Sequence, residues 1–204
     1  MEIITKSCTG FYYATLRKTS EFNVIQLKRA NFLEAIDVLK IYNLLEQRGI
    51  AIWLDGGWGV DALLEQQTRY HKDLDLIVQK KDVDTLKETL EQEGFSFTEG
   101  IATSFVLKDS KGISIDIHVV VFDEMGNGIY RMQNGQDWVY PAEGFNGIGK
   151  IINTSVHCLS PSAQMICHTG YQITEKDIRE MELLNKRFGV EYPEEYAHLL
   201  HNST

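Results

Sequence analysis

Three aspartates on two short segments carry the chemistry this sequence offers. In His71-Lys72-Asp73-Leu74-Asp75-Leu76-Ile77-Val78, alternation along a strand puts Asp73 and Asp75 on one side and Leu74 and Leu76 on the other. In Ile113-Ser114-Ile115-Asp116-Ile117-His118 the same parity sets Ser114, Asp116 and His118 against the isoleucines. Carboxylates held side by side repel unless a cation lies between them. Hard oxygen ligands of this kind, completed by water and phosphate, suit Mg2+. If the segments are neighbouring strands with polar faces aligned, the three acids converge. They can then hold two metals about 4 Å apart, clamping the attacking and leaving oxygens of a phosphoryl displacement. Each piece alone has a plainer explanation, because Asp-x-Asp is common on solvated edge strands and His118 is equally a hydrogen-bonded sheet histidine. The combination carries the reading.

A second feature is the turn Asp55-Gly56-Gly57-Trp58-Gly59, between an apolar run at 50–54 and a short helix expected over 60–66. Successive N–H groups at Gly56 and Gly57, with the positive end of the helix, favour a triphosphate. Trp58 is a candidate at the same turn, with packing against the core as its alternative role. Arg69 and His71, just ahead of the acidic strand, are candidate donors to phosphate oxygens. A competing pattern is Gly57-x-Gly59-x-x-Ala62 followed by Asp75, which matches a dinucleotide fingerprint. Against it, Asp75 precedes its apolar run instead of ending it, and no series of further β-α units follows.

The elements that must position these residues are legible in outline. Residues 11–16 and 22–27 have strand-like content and suggest a hairpin or an arm. Asn31, with Glu34 three residues on, reads as a capping box for a helix that Gly49 ends. Asp82 reads as the cap of a helix carrying Val83, Leu86 and Leu90. Residues 105–107 and 113–121 read as a hairpin, and the glycine- and aromatic-rich stretch 122–150 as an irregular sheet edge with short strands near 129–132 and 138–140. Ser160-Pro161 and Thr174 open helices, Gly189 closes the second, and Pro193 opens a third. The organisation expected is an N-terminal extension over 1–30, a catalytic domain over 31–155 and a helical region over 156–204.

Bulk properties narrow the classes further. The 204 residues are 43 % hydrophobic and 24 % charged, an ordinary globular composition. Three cysteines, Cys8, Cys158 and Cys167, are odd in number and form no Cys-x-x-Cys pair, which points to a reducing, cytoplasmic setting. No signal-peptide pattern opens the chain, and no run reaches the roughly 20 apolar residues of a membrane span. A net charge of −9 without a Lys/Arg cluster argues against nucleic acid as partner and suits metals and small cationic ligands.

Taken together, Leu54-Asp55-Gly56-Gly57-Trp58-Gly59-Val60-Asp61, Arg69-x-His71-x-Asp73-x-Asp75 and Asp116-Ile117-His118 resemble the lincosamide nucleotidyltransferases and the aminoglycoside 2″-adenylyltransferases of the polymerase-β-like superfamily. Ser162-Ala163-Gln164, His168-x-Gly170-Tyr171 and Asp177 resemble the helical end of the lincosamide group. Trp58, where the wider superfamily often has serine, is shared by these two groups. The likeness is weak over 122–150 and absent before Asn31. It implies an α+β fold, a mixed sheet flanked by helices with a small C-terminal helical region. It also implies ATP or another nucleoside triphosphate, Mg2+, and release of pyrophosphate. Asp73 and Asp75 would bind metal, with Asp116 completing the site as metal ligand, as base, or as both. The acceptor implied is a small molecule of the lincosamide or aminoglycoside type. A toxin-like enzyme acting on tRNA or protein and a non-catalytic nucleotide-binding module are the alternatives, and the N-terminal extension leaves a homodimer open.

Overall fold

The chain divides into two units, residues 1–32 and 33–204. The structure, a computed structural model, describes residues 2–7, 10–18, 23–29, 32–132 and 134–196. In the first unit β1 (Glu2–Ser7), β2 (Gly10–Lys18) and β3 (Asn23–Arg29) form an antiparallel meander in that order. The hairpin expected from 11–16 and 22–27 is therefore present as β2 and β3, extended by a strand that local sequence did not announce.

In the second unit, α1 (Ala35–Gln47) starts later than a cap at Asn31 would place it, with Glu34 in the N-cap position; Asn31 itself lies outside the described residues. The cause is tertiary. The Leu33 N–H donates to the His71 carbonyl at 2.9 Å, which holds the approach to the helix extended. There follow β4 (Ile52–Asp55), α2 (Gly56–Leu64), β5 (Asp73–Gln79), α3 (Val83–Gln92), β6 (Ser96–Ile101), β7 (Ser104–Lys108) and β8 (Ser114–Phe122). Beyond them come β9 (Gly128–Arg131), β10 (Asp137–Tyr140), β11 (Gly147–Ile151), β12 (Thr154–Cys158), α4 (Pro161–Cys167) and α5 (Glu175–Phe188). Asp82 occupies the N-cap position of α3 but its side chain makes no capping bond.

The strands of this unit form one mixed sheet ordered β10-β9-β8-β5-β4-β12-β11. The outer edge of β8 is shared, its first half pairing β7 and its last residues β9, and β6 lies outside β7. On one face Leu54, Leu74, Leu76, Ile115 and Ile117 pack with Val38 and Leu45 of α1 and Leu86 and Leu90 of α3. Each such side chain contributes about 1.5–3 kcal/mol by leaving water. The other face carries a second apolar cluster of Ile77, Val120, Tyr140, Phe145, Leu159 and Ala163 beside the polar row. Strands β4 and β5 run antiparallel, which a dinucleotide βαβ unit with parallel strands does not permit.

In this unit β6, β11 and β12 escaped the sequence reading, β6 and β11 for plain physical reasons. β6 is exposed along its whole length, so no apolar alternation marks it. β11 reads as loop because of its glycines, yet a Cβ at Gly149 would stand 2.4 Å from the Ala62 carbonyl oxygen, so glycine lets α2 lie against the strand. β12 spans the junction at 155–156, and the helices begin at Pro161. Ser160 caps α4, a Thr174–Asp177 capping box opens α5, and Gly189, in a left-handed conformation at φ 68°, closes it.

Candidate active site

Strand register brings the acids together. Asp55 on β4 pairs with Asp75 on β5, and Asp75 with Asp116 on β8, so three aspartates stand abreast across adjacent strands. Asp73 pairs with Ser114 and Ile77 with His118, which extends the polar row along the same face. Asp116 therefore lies beside Asp75 and off the hydrophobic face, the arrangement the two-strand argument required. Asp55 was not foreseen as a member. Its signal was present: it ends the apolar run with the parity of Trp53, opposite to Leu54.

Neighbouring groups set the electrostatics. The Asp55 carboxylate accepts the Gly56 N–H at 2.7 Å and lies 3.7 Å from His118 Nδ1, an ion-pair distance too long for a hydrogen bond. Ser114 Oγ donates to Asp116 Oδ1 at 2.9 Å. Burial, reinforced by Asp55, Asp73 and Asp116 and opposed by His118, pushes the Asp75 carboxyl up to about 7. Burial and Asp73 likewise raise Asp116, against the Ser114 hydrogen bond. Burial disfavours a charged His118, but Asp55, Asp75 and Asp116 outweigh it and raise the imidazole. A row of carboxylates that resists full ionisation is short of positive charge. Its all-oxygen donors fit Mg2+, with Asp73, Asp75 and Asp116 able to hold it.

A different acidic group, His168, Asp177 and Glu180, has ligand atoms within 4.8 Å of one another. Its oxygens are already engaged. Asp177 accepts from Tyr171, from the Thr174 backbone and from the Thr174 hydroxyl, and Glu180 accepts from Arg69 and His168. This is an internal network, not a vacant ligand set.

The glycine turn proves to be the first turn of α2, which begins at Gly56 and so earlier than residue 60. Gly56 has φ +55°, and a Cβ there would stand 2.4 Å from Asp75 Oδ2. A Cβ on Gly57 would stand 2.4 Å from the His71 ring and 2.6 Å from Arg69 Nη2. The helix N-terminus, Arg69 and His71 thus occupy one spot beside the acids, a concentration of donors suited to phosphate. Gly59 does another job: it admits Gln164 of α4, whose Nε2 would lie 2.0 Å from an added Cβ.

Trp58 sits in the core at 2 % exposure, its ring 4.7 Å from that of His71. It braces the turn by packing, the alternative role named for it from sequence. His71 is buried as well. Its Nε2 lies 2.6 Å from the buried Asp61 Oδ2, while Asp61 Oδ1 takes the Thr68 N–H at 2.9 Å and the Thr68 hydroxyl at 2.6 Å. Arg69 Nε donates to Glu180 Oε1 at 2.5 Å. Asp61 and Glu180 were not among the candidates: Glu180 lies 111 residues from Arg69, and Asp61, only ten from His71, sits on a different element with no local pattern to link them.

Around the far end of the row, aromatic rings make a wall. Tyr130 stacks on His118 at 5.4 Å, and Trp53, Phe122 and Phe145 meet edge to face, with Trp53 Nε1 donating to the Phe145 carbonyl at 2.9 Å. Tyr130, Trp138, Tyr140 and Phe145 all come from the glycine-rich stretch read as a sheet edge.

Comparison with known proteins agrees with this geometry. The profile of the aminoglycoside-2″-adenylyltransferase family matches residues 37–184. A lincosamide resistance protein of Staphylococcus haemolyticus is 28 % identical over 152 residues, covering 74 % of this chain and 93 % of that protein. The crystal structure of the lincosamide antibiotic adenylyltransferase LnuA, lincomycin-bound, superposes with a TM-score of 0.68 at 27 % identity, covering 76 % of this chain and 98 % of that one. ANT(2″)-Ia in complex with adenylyl-2″-tobramycin shares the fold, with a TM-score of 0.59 at 20 % identity over 83 % of this chain and 95 % of that one. Among the described residues no helix is long and apolar enough to cross a membrane.

Proposed function

The chain belongs to the aminoglycoside-2″-adenylyltransferase family, and on that premise we propose that it transfers a nucleoside monophosphate from a nucleoside triphosphate, ATP first among them, to a hydroxyl of a lincosamide-like antibiotic. The observation that carries the reading is the row Asp55–Asp75–Asp116 in register on adjacent strands, with Asp73 alongside. The resistance protein matched along 93 % of its length supports a lincosamide over an aminoglycoside as acceptor.

The N-terminus of α2, with Arg69 and His71, receives the triphosphate. Asp73 and Asp75 would hold Mg2+, which when bound would supply positive charge to the triphosphate and to the departing pyrophosphate. The acceptor hydroxyl oxygen forms a bond to the α-phosphorus as the bond from that phosphorus to the bridging oxygen breaks, and pyrophosphate leaves with the electron pair. Asp116 takes the hydroxyl proton. Its raised affinity for a proton suits that role, and the Ser114 hydrogen bond fixes its orientation. The aromatic wall from Tyr130 to Phe145 gives the apolar part of the acceptor a surface next to the acids.

The experiment is a panel of ATP, GTP, CTP and UTP with Mg2+, against lincosamides, aminoglycosides, tRNA and protein, following pyrophosphate release and product mass. Adenylylated lincomycin without modified kanamycin is the expected result. Product on tRNA or on protein alone would overturn the small-molecule acceptor, and no pyrophosphate with any pair would overturn the transferase itself.

A further inference from the structure

Arg69 has its nitrogens divided among three neighbours. Nε donates to Glu180 Oε1 at 2.5 Å, Nη1 to the Tyr70 carbonyl at 3.3 Å, and Nη2 lies against Gly57, 2.6 Å from the position a Cβ would take. The first two bonds fix the plane of the guanidinium, and the third nitrogen is the one presented at the helix N-terminus. Glu180, which does this, belongs to α5 and is 111 residues away in sequence.

Glu180 is itself held. Its side chain is 3 % exposed, and Oε2 lies 3.3 Å from His168 Nε2. His168 Nδ1 lies 2.8 Å from the Gln164 carbonyl oxygen, which can only accept, so Nδ1 carries a proton. The Tyr196 hydroxyl donates to the His168 carbonyl at 2.8 Å, tying the chain beyond α5 to the same point. On α4, Gln164 Nε2 lies 3.4 Å from the Leu54 carbonyl oxygen and packs on Gly59 of α2. The contacts close a ring: α2, Arg69, Glu180, His168, Gln164, and back to α2. A buried glutamate between an arginine and a histidine is a costly arrangement for stability alone, since well-packed apolar residues often do as well.

We propose that Glu180 and His168 are positioning residues for the nucleotide, holding Arg69 so that its Nη2 meets the triphosphate at the N-terminus of α2. The C-terminal helices are then part of the nucleotide site without touching nucleotide. This rests on the transferase reading above, and the experiment separates the two.

Binding of α,β-methylene-ATP with Mg2+ is measured by calorimetry on the full chain, together with KM for ATP and kcat, for wild type, Glu180→Gln, His168→Gln, Arg69→Ala and the Arg69→Ala/Glu180→Gln double variant. Glu180→Gln is expected to weaken the analogue and raise KM by about tenfold, with kcat changed by less than about threefold. His168→Gln should do the same more weakly. The double variant should bind no worse than Arg69→Ala alone, because the two residues act through one contact. A merely structural pair would lower the melting temperature and leave the affinity of the folded fraction unchanged. That outcome overturns the proposal, and if Glu180→Gln does not fold, His168→Gln decides by the same criterion. Wild type that binds no analogue sinks the transferase reading and this inference with it; wild type that binds, beside variants that bind equally well, sinks only the positioning role.

Discussion

Two acidic groups flank α2, and they have been treated in opposite ways. On the strand side, Asp55, Asp75 and Asp116 stand in register with few compensating donors, and burial with mutual repulsion drives Asp75 up to about 7. On the helix side, Asp61, Asp177 and Glu180 are more fully buried, yet saturated: Asp61 by Thr68 and His71, Asp177 by Tyr171 and Thr174, Glu180 by Arg69 and His168. The pairing draws the Glu180 carboxyl below its ordinary value although burial alone would raise it. The first group stores a demand for external cations. The second has its counter-charges supplied by the chain and spends them on orientation, fixing the two donors that face the helix N-terminus. Acidity by itself thus says little; what the acids already hold says much.

The contrast makes specific demands. The largest effect is expected at Asp75. Asp75→Asn should lower turnover by about a thousandfold or more, since on the proposed mechanism it removes a metal ligand. In chelator the same variant should melt at or above the wild-type temperature, because one repelling charge has gone. Activity near wild type, or a marked loss of stability, would place Asp75 with the paired acids. Asp61→Ala should behave in the opposite sense. It strands His71 and Thr68 in a buried place and should cost about 3–5 kcal/mol of stability, read as a lower urea midpoint at unchanged slope.

Gly59→Ala comes next. The added methyl meets the Leu54 carbonyl oxygen at 2.8 Å as well as Gln164, and the backbone oxygen cannot turn aside. About 1–3 kcal/mol should be lost, with the KM for ATP moved through α4. A variant as stable as wild type would show that α4 has more slack than the contacts imply.

The smallest effect is a pH dependence of the paired group. Burial disfavours charged His168, but Glu180 and the Gln164 carbonyl raise it above the ordinary 6.5, so its contribution is complete below pH 6.5 and is lost as pH rises through the folded value. Glu180, drawn below 4.5 by His168 and Arg69 against burial, contributes fully above pH 4.5 and loses its share as pH falls through its folded value. The stability difference between wild type and His168→Gln should be greatest between pH 4.5 and 6.5 and shrink as pH climbs above that window. A difference independent of pH would mean that the histidine is held neutral.

Much of this molecule is written locally. Strand parity alone puts Asp73 and Asp75 on one side of their strand, and Ser114, Asp116 and His118 on one side of theirs, because neighbouring side chains in an extended chain must point to opposite sides. The helix signals at Ser160, Thr174 and Gly189 are satisfied by bonds within a few residues, and all three are where the sequence puts them. Where a distant partner intervenes, local signals lose. The Asn31 cap yields to the bridge from Leu33 to His71, and the glycines of β11 serve the approach of α2 instead of a loop. Parity cannot say which residues lie opposite one another. That Asp55, Asp75 and Asp116 fall abreast, and that Glu180 reaches Arg69 across 111 residues, are matters of register and packing. Both depend on the buried faces of strands and helices finding one mutual fit, and no window of sequence contains that information.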